Sequence, residues 1–225
     1  MTLTLIVANV LVWLSSDPDQ AARTFGAVAW HYTGMDPAPS LSIDLLGKVI
    51  EAPPIPREHP WLRVFTHMFV HSGFLHLLGN VWFLWIFADN VEDRLGRGKA
   101  LVLYALSGLA ALTLQIATHP SSGLPMVGAS GAISGVLGAY AVAFPASRIV
   151  TLVPILFYPL LLAVPARLFL IFWFGLQLVQ GLASDVGSGV AWWAHIGGFV
   201  TGALLMLALM PASPRRVSVS FPDQD

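Results

Sequence analysis

No cysteine occurs among the 225 residues. A disulfide-stapled scaffold is therefore excluded, and any metal site would lack thiolate ligands. Charge is also scarce. Asp, Glu, Lys and Arg make up 10% of the chain, against about 25% in an average soluble domain. The net charge is −1 and no basic run exists, so nucleic acid is not an expected partner. Apolar residues take the place of charge. They form 56% of the chain, with 13 Phe and 8 Trp, and mean hydropathy is +0.74. Disorder is excluded by that content. One soluble core of this size could not hide so much apolar surface. The class that remains is all-α: a polytopic membrane helix bundle.

A spanning helix needs roughly 20 mostly apolar residues. Segments at about 74–91, 99–118, 128–146, 160–183 and 190–210 meet this. A sixth, at about 2–16, is shorter, and Pro18 discourages its extension. That segment lacks the basic start and small-residue cleavage site of a signal peptide, so it reads as a span. The expectation is a six-helix membrane domain over 1–210 and a polar cytoplasmic tail over 211–225. A long connector joins the first two spans. It holds Pro37, Pro39, Pro53, Pro54, Pro56 and Pro60, so it is not one long helix. Its Trp30, Tyr32 and Trp61 favour a membrane–water interface.

Basic residues in short loops give the orientation. Arg94, Arg97 and Lys99 follow span two, Arg148 follows span four, Arg167 begins span five, and Arg215 and Arg216 lie in the tail. The loops 119–127 and 183–189 hold no Lys or Arg. Both termini are expected in the cytoplasm, with the long connector outside.

Polar side chains inside spans are functional candidates. Here they are Asn9, His76, Asn80, Gln115, Ser130, Ser134, Gln177, Gln180 and His195. Spans two, four and six all enter from outside. His76 and Asn80, Ser130, and His195 therefore converge at one level, slightly below the outer surface. Ser130 sits among Gly128, Ala129 and Gly131, which leave its hydroxyl accessible at a helix N-terminus that favours negative charge. Gly131-x-x-x-Gly135 and Gly198-x-x-x-Gly202 are small-xxx-small patterns. Packed together, they bring Ser130 within reach of His195. A desolvated His stays neutral, the form a general base needs, and His–Ser contact activates a nucleophile. His76 and Asn80 share one helix face about 6 Å apart. With the Ser130 backbone N–H they could form an oxyanion hole. Asp89 is about 13 Å deeper than Asn80, and Asp185 is in an outer loop, so a Ser–His dyad is favoured over a triad.

Blander readings stand beside these. Gly-Ala-Ser-Gly also reads as helix packing alone. His195, and His76 with Asn80, also read as interhelical hydrogen-bonding groups. Asn9, Gln115, Gln177 and Gln180 read as polar glue between helices. His67-x-x-x-His71 has helix-face spacing and could hold a metal, but no Glu lies between the pair, so the zincin pattern is absent. Their favoured reading is to tie the connector to the top of span two.

The runs HMFVHSGFLHLLGN at His67–Asn80, VEDRLGRGK at Val91–Lys99, Gly128-Ala129-Ser130-Gly131 and AHIGGFVTG at Ala194–Gly202 together resemble the rhomboid family of intramembrane serine proteases. The order and spacing match over most of the helical core. Six spans resemble the simple bacterial form. The resemblance implies Ser130 as nucleophile, His195 as base, and His76 and Asn80 as oxyanion-stabilising side chains. It implies that Gly128 supports the active-site turn. Glu92 and Arg94 are similar to an ExR element closing the cytoplasmic end of span two, and Arg63 to the Arg of a membrane-dipping first loop. Many members stack an aromatic, four residues after the serine, on the histidine; this chain has Ser134 there. The implied protein is multi-pass in a cell membrane (the inner membrane in a bacterium) and uses no cofactor. Its partners are the lipid bilayer and transmembrane protein substrates. Spans two and five flank the expected entry route, with Trp82, Phe83, Trp173 and Phe174 as gate or lipid contacts. The alternative functions are a catalytically inactive relative that binds membrane clients, a small transporter or channel whose His and Asn residues line a pathway, and a His-rich metal-binding membrane protein.

Overall fold

A computed structural model describes residues 1–38, 40–43, 49–155, 158–183 and 189–210. The tail 211–225 and Asp185 lie outside the described residues. Helix α1 is Thr2–Ser15. It stops where Asp17 caps α2, Pro18–Phe25, through a 2.9 Å bond to the Gln20 N–H, with Pro18 in the first turn. The connector continues through β1 (Ala27–Val28), α3 (Trp30–Thr33), β2 (Ser40–Ile43), β3 (Val49–Ala52) and α4 (Pro60–Thr66). Its described residues thus form a series of short elements, and its prolines exclude one long helix. Next come α5, Phe74–Leu95, and α6, Arg97–Thr118. Strand β4 is Pro125–Met126 and α7 is Ser130–Ala143. Strands β5 (Arg148–Ile155) and β6 (Tyr158–Pro165) lead to α8 (Ala166–Ala183) and α9 (Trp192–Leu209).

Among the described residues, four helices, α5, α6, α8 and α9, are long and apolar enough to cross a membrane, by length and composition; α1 and α7 are shorter apolar helices. Two expected boundaries need correction. The span expected over 128–146 is a helix of 14 residues. Gly128, at φ 114°, makes the turn before it, and Pro145 turns Phe144 away from helical geometry behind it. The span expected over 160–183 begins only at Ala166. Residues 160–165 belong to β6, antiparallel to β5, with Val153 opposite Leu160 and Ile149 opposite Val164. Pro154, Pro159 and Pro165 punctuate this run, and Val164 before Pro165 is driven to extended backbone.

Helix α7 is the centre of the bundle; every residue from Gly131 to Tyr140 is buried. It meets α9 backbone to backbone. A methyl group on Gly198 would strike the carbonyl of Gly131, one on Gly202 the carbonyl of Gly135, and one on Gly138 the carbonyl of Phe199. The two small-xxx-small patterns are therefore the seam of these helices. On the other flank, α7 joins the main apolar core through Ile133, Val136, Leu137 and Tyr140, packed with Leu84, Phe87 and Leu103.

Candidate active site

Ser130 begins α7. The turn before it is fixed from the connector side: the Gly128 N–H donates to the His67 carbonyl at 2.9 Å, and β4 pairs with β1, Ala27 opposite Met126. Gly128 is required twice. Its φ is left-handed, and a Cβ there would lie 2.6 Å from His76 Nε2. Across the glycine seam, Ser130 Oγ lies 2.9 Å from His195 Nε2. The other ring nitrogen, Nδ1, is 2.7 Å from Gln177 Oε1 on α8. An amide oxygen only accepts, so Nδ1 carries the proton. In the neutral ring Nε2 then accepts, and the Ser130 hydroxyl donates to it.

His76 and Asn80 reach the same place from α5. The His76 Nε2 and the Asn80 amide nitrogen are the side-chain groups nearest the open face of Gly128. The His76 Nδ1 is 3.0 Å from Ser72 Oγ, and the Asn80 amide donates to the His76 carbonyl at 3.0 Å. Two cavities meet at these residues. One, of about 340 Å³, is lined by His67, Ser72, His76, Gly128, Ser130 and His195. The second, of about 220 Å³, lies between α5 and α8, with Asn80, Phe83, Ser130, Trp173 and His195 on its walls. Phe83 and Trp173 thus flank the gap between spans two and five, whereas Trp82 is 61% exposed and Phe174 rests against Phe199.

The remaining candidates sit around this centre. His67 and His71 are buried. The His67 Nδ1 donates to the Arg63 carbonyl at 2.9 Å, and the His71 ring meets the His76 ring edge-on at 5.1 Å. His71 thus touches span two, while His67 joins α4 to the Gly128 turn. Burial pushes both rings down to about 4. The buried Arg63 guanidinium donates to the carbonyls of Glu58, Arg23 and Gly26 at 3.0, 2.9 and 3.1 Å, and burial lowers its pKa. Glu92 accepts from the chain's amino terminus, from the Thr2 N–H and from the Thr2 hydroxyl, each at 2.8 Å. Its guanidinium partner is Arg97, at 3.3 Å, rather than Arg94. Among the described residues, no group of three or more His, Asp or Glu stands close enough to hold a metal ion.

Sequence reasoning missed what surrounds the His195 ring. Ser134 is buried and donates to the Ser130 carbonyl at 2.7 Å. Aromatic cover comes from elsewhere: Trp173 lies 6.1 Å from the His195 ring at 35°, and Trp192 is edge-on at 6.1 Å. Gln177 was legible as an interhelical polar group, but not as the partner of this histidine. Gln115 accepts from the Ala194 N–H at 3.3 Å, and Asn9 donates to the Leu5 carbonyl at 2.7 Å. Gln180 faces outward.

Fold and site together define a multi-pass α-helical membrane protein with a serine and a histidine paired between two helices. A family model described as Rhomboid domain matches residues 58–212, a stretch that contains all the side chains of this site. The chain belongs to the rhomboid family. Rhomboid protease GlpG of Enterobacter sp. (strain 638) is 31% identical over 137 residues, 61% of this chain and 41% of that protein. RHOMBOID-like protein 1 of Arabidopsis thaliana is 31% identical over 166 residues, 74% of this chain and 39% of that protein. Rhomboid protease GluP of Bacillus subtilis (strain 168) is 40% identical over 79 residues, 35% of this chain and 15% of that protein. The chain spans less than half the length of each of these relatives.

Proposed function

We propose that the protein is an intramembrane serine endopeptidase that hydrolyses peptide bonds in or near the transmembrane helices of other membrane proteins. The observation that carries this reading is the 2.9 Å approach of Ser130 Oγ to His195 Nε2 in a chain of the rhomboid family. Ser130 Oγ attacks the scissile carbonyl carbon while its proton passes to His195 Nε2. The oxyanion is stabilised by the Ser130 backbone N–H and by donors from His76 and Asn80, with Gly128 keeping the space open. The imidazolium then gives its proton to the leaving amine, and the C–N bond breaks. A water, deprotonated by the same nitrogen, hydrolyses the acyl-enzyme and restores Ser130.

In this reading six helices span the bilayer, with α1 and α7 among them, both termini are cytoplasmic, and the site opens outward. The burial of α7 on all sides supports counting it, since its length need not match the lipid. The cavity lined by Ser72 and Gly128 brings water. The cavity between α5 and α8 admits the substrate helix, which unwinds locally near Gly or Pro. Small residues fit before the cut, beside the Gly and Ala around Ser130. Arg63, His67, His71, Glu92, Arg94, Gly131, Gly198 and Gly202 are structural supports. The test is cleavage of a single-span substrate in proteoliposomes. Wild type cleaves it, and Ser130→Ala and His195→Ala each abolish cleavage. Undiminished cleavage by Ser130→Ala would sink the mechanism. A folded wild type that binds but never cuts single-span proteins would mark an inactive, client-binding relative.

A further inference from the structure

We infer that Gln177 is a positioning residue for His195: its side-chain carbonyl holds the imidazole in the one orientation and tautomer that lets Nε2 accept the Ser130 proton. The inference rests on the proteolytic reading above and gives that site a third member.

Helix α8 is the least buried of the four long helices. From position 171 to 180 it turns one residue fully inward, and that residue is Gln177, with 7% of its surface exposed. An apolar helix would bury a leucine there unless the amide had a partner, because an unpaired buried amide costs about 1–3 kcal/mol. Its partner is the Nδ1 of His195, at 2.7 Å.

Without that bond the imidazole has several arrangements open to it. A neutral His has two tautomers and two ring flips, and only some combinations present a lone pair to Ser130. Among the described residues, no acidic side chain is hydrogen-bonded to the His195 ring, whose partners are Ser130 and Gln177; Asp89 lies more than two turns along α5 from Asn80. The Gln177 oxygen chooses. It accepts from Nδ1–H in the resting ring and still accepts from it in the imidazolium. Trp173, one turn earlier on α8, packs beside the same ring, so one helix supplies both the acceptor and the aromatic cover. An amide is also the cheaper group in this setting. A carboxylate would have to be desolvated inside a span, whereas a neutral dipole orients the ring at lower cost.

The experiment compares Gln177→Leu, Gln177→Glu and Ser130→Ala in proteoliposomes, reading kcat, KM, the activity–pH profile and the thermal midpoint. Gln177→Leu keeps the volume and removes the acceptor. We expect kcat to fall about 10- to 100-fold while KM stays within about two-fold. Gln177→Glu returns an oxygen acceptor. We expect it to recover kcat to within about three-fold, with the acidic limb of the profile moved to higher pH by about one unit. The sign follows because a carboxylate favours the imidazolium, so the base is lost at a higher pH. The inference is overturned if Gln177→Leu retains kcat within about two-fold, or if Gln177→Glu is as impaired as Gln177→Leu. If Gln177→Leu does not fold, recovery and limb shift in Gln177→Glu decide alone. Ser130→Ala separates the two levels: full cleavage by it removes the proteolytic reading, whereas an inactive Ser130→Ala beside a fully active Gln177→Leu removes only the inference.

Discussion

Ser130 and His195 come from two helices whose backbones touch. Gln177 comes from a helix whose surface is mostly left to lipid. At the α7–α9 seam the carbonyls of Gly131 and Gly135 lie against Gly198 and Gly202, and that of Phe199 against Gly138, while the Cβ sides of Gly131 and Gly135 face Ala111 and Ser107 of α6. Helix α8 is the opposite. A methyl group added at its Gly175 would meet nothing within 4 Å. The comparison separates two requirements of one site. The distance from hydroxyl to imidazole is set where two backbones touch, and the orientation of the imidazole is set from a helix that borders the gap beside α5.

The largest effect should follow from damaging the seam. Gly202→Val places a branched side chain against the Cα, carbon and oxygen of Gly135. We expect a destabilisation of about 3 kcal/mol or more, read as lost folded yield in detergent and no measurable cleavage. Removing the proposed oxyanion donors leaves the seam intact and tests only the chemistry. His76→Ala and Asn80→Ala should each lower kcat by about 100- to 1000-fold, with thermal midpoints near wild type.

A third test is acid, read on the connector side. His67 and His71 are pushed down to about 4 when folded, from 6.5 when free. Below pH 6.5 the unfolded chain takes up protons that the folded one refuses. Their stabilisation is therefore full above about pH 6.5 and is lost as pH falls toward 4. Each buried ring contributes about 1.4 kcal/mol per pH unit in that window, or roughly 3 kcal/mol across it. Thermal midpoints measured at pH 7.5 and pH 5 should fall with acid. Equal midpoints would mean that these rings do not resist protonation. The smallest effect is Gly175→Ala on α8, which should raise the midpoint slightly, since Ala favours a helix interior over Gly by about 1 kcal/mol, and should leave cleavage within about two-fold. A large loss there would show that α8 is packed as tightly as the seam.

Much of this centre was legible in the chain. Ser130 and His195 stand out because a span tolerates few polar groups, and the Gly-x-x-x-Gly spacing beside each pointed to the contact that joins them. His76 and Asn80 were legible from their i, i+4 spacing. The hairpin over 148–165 was not, because Leu160–Val164 is equally apolar as strand or helix; the prolines at 154, 159 and 165 were the signal that length of the run outweighed. The aromatic cover of His195 was sought at position 134, four residues after the serine. It comes instead from Trp173, on another helix, and no local spacing announces a contact between separate helices. Gln177 shows the same limit. Its polarity was visible, but its partner is 18 residues away across a loop.

In the proposed mechanism Ser130 is a nucleophile activated by His195. A fluorophosphonate probe tests it without any knowledge of the natural substrate. The folded protein is labelled in proteoliposomes, and the adduct is located by mass spectrometry. We expect a single adduct on Ser130, absent in Ser130→Ala and strongly reduced in His195→Ala. An adduct on another residue, or labelling of Ser130 that is unchanged in His195→Ala, would contradict it.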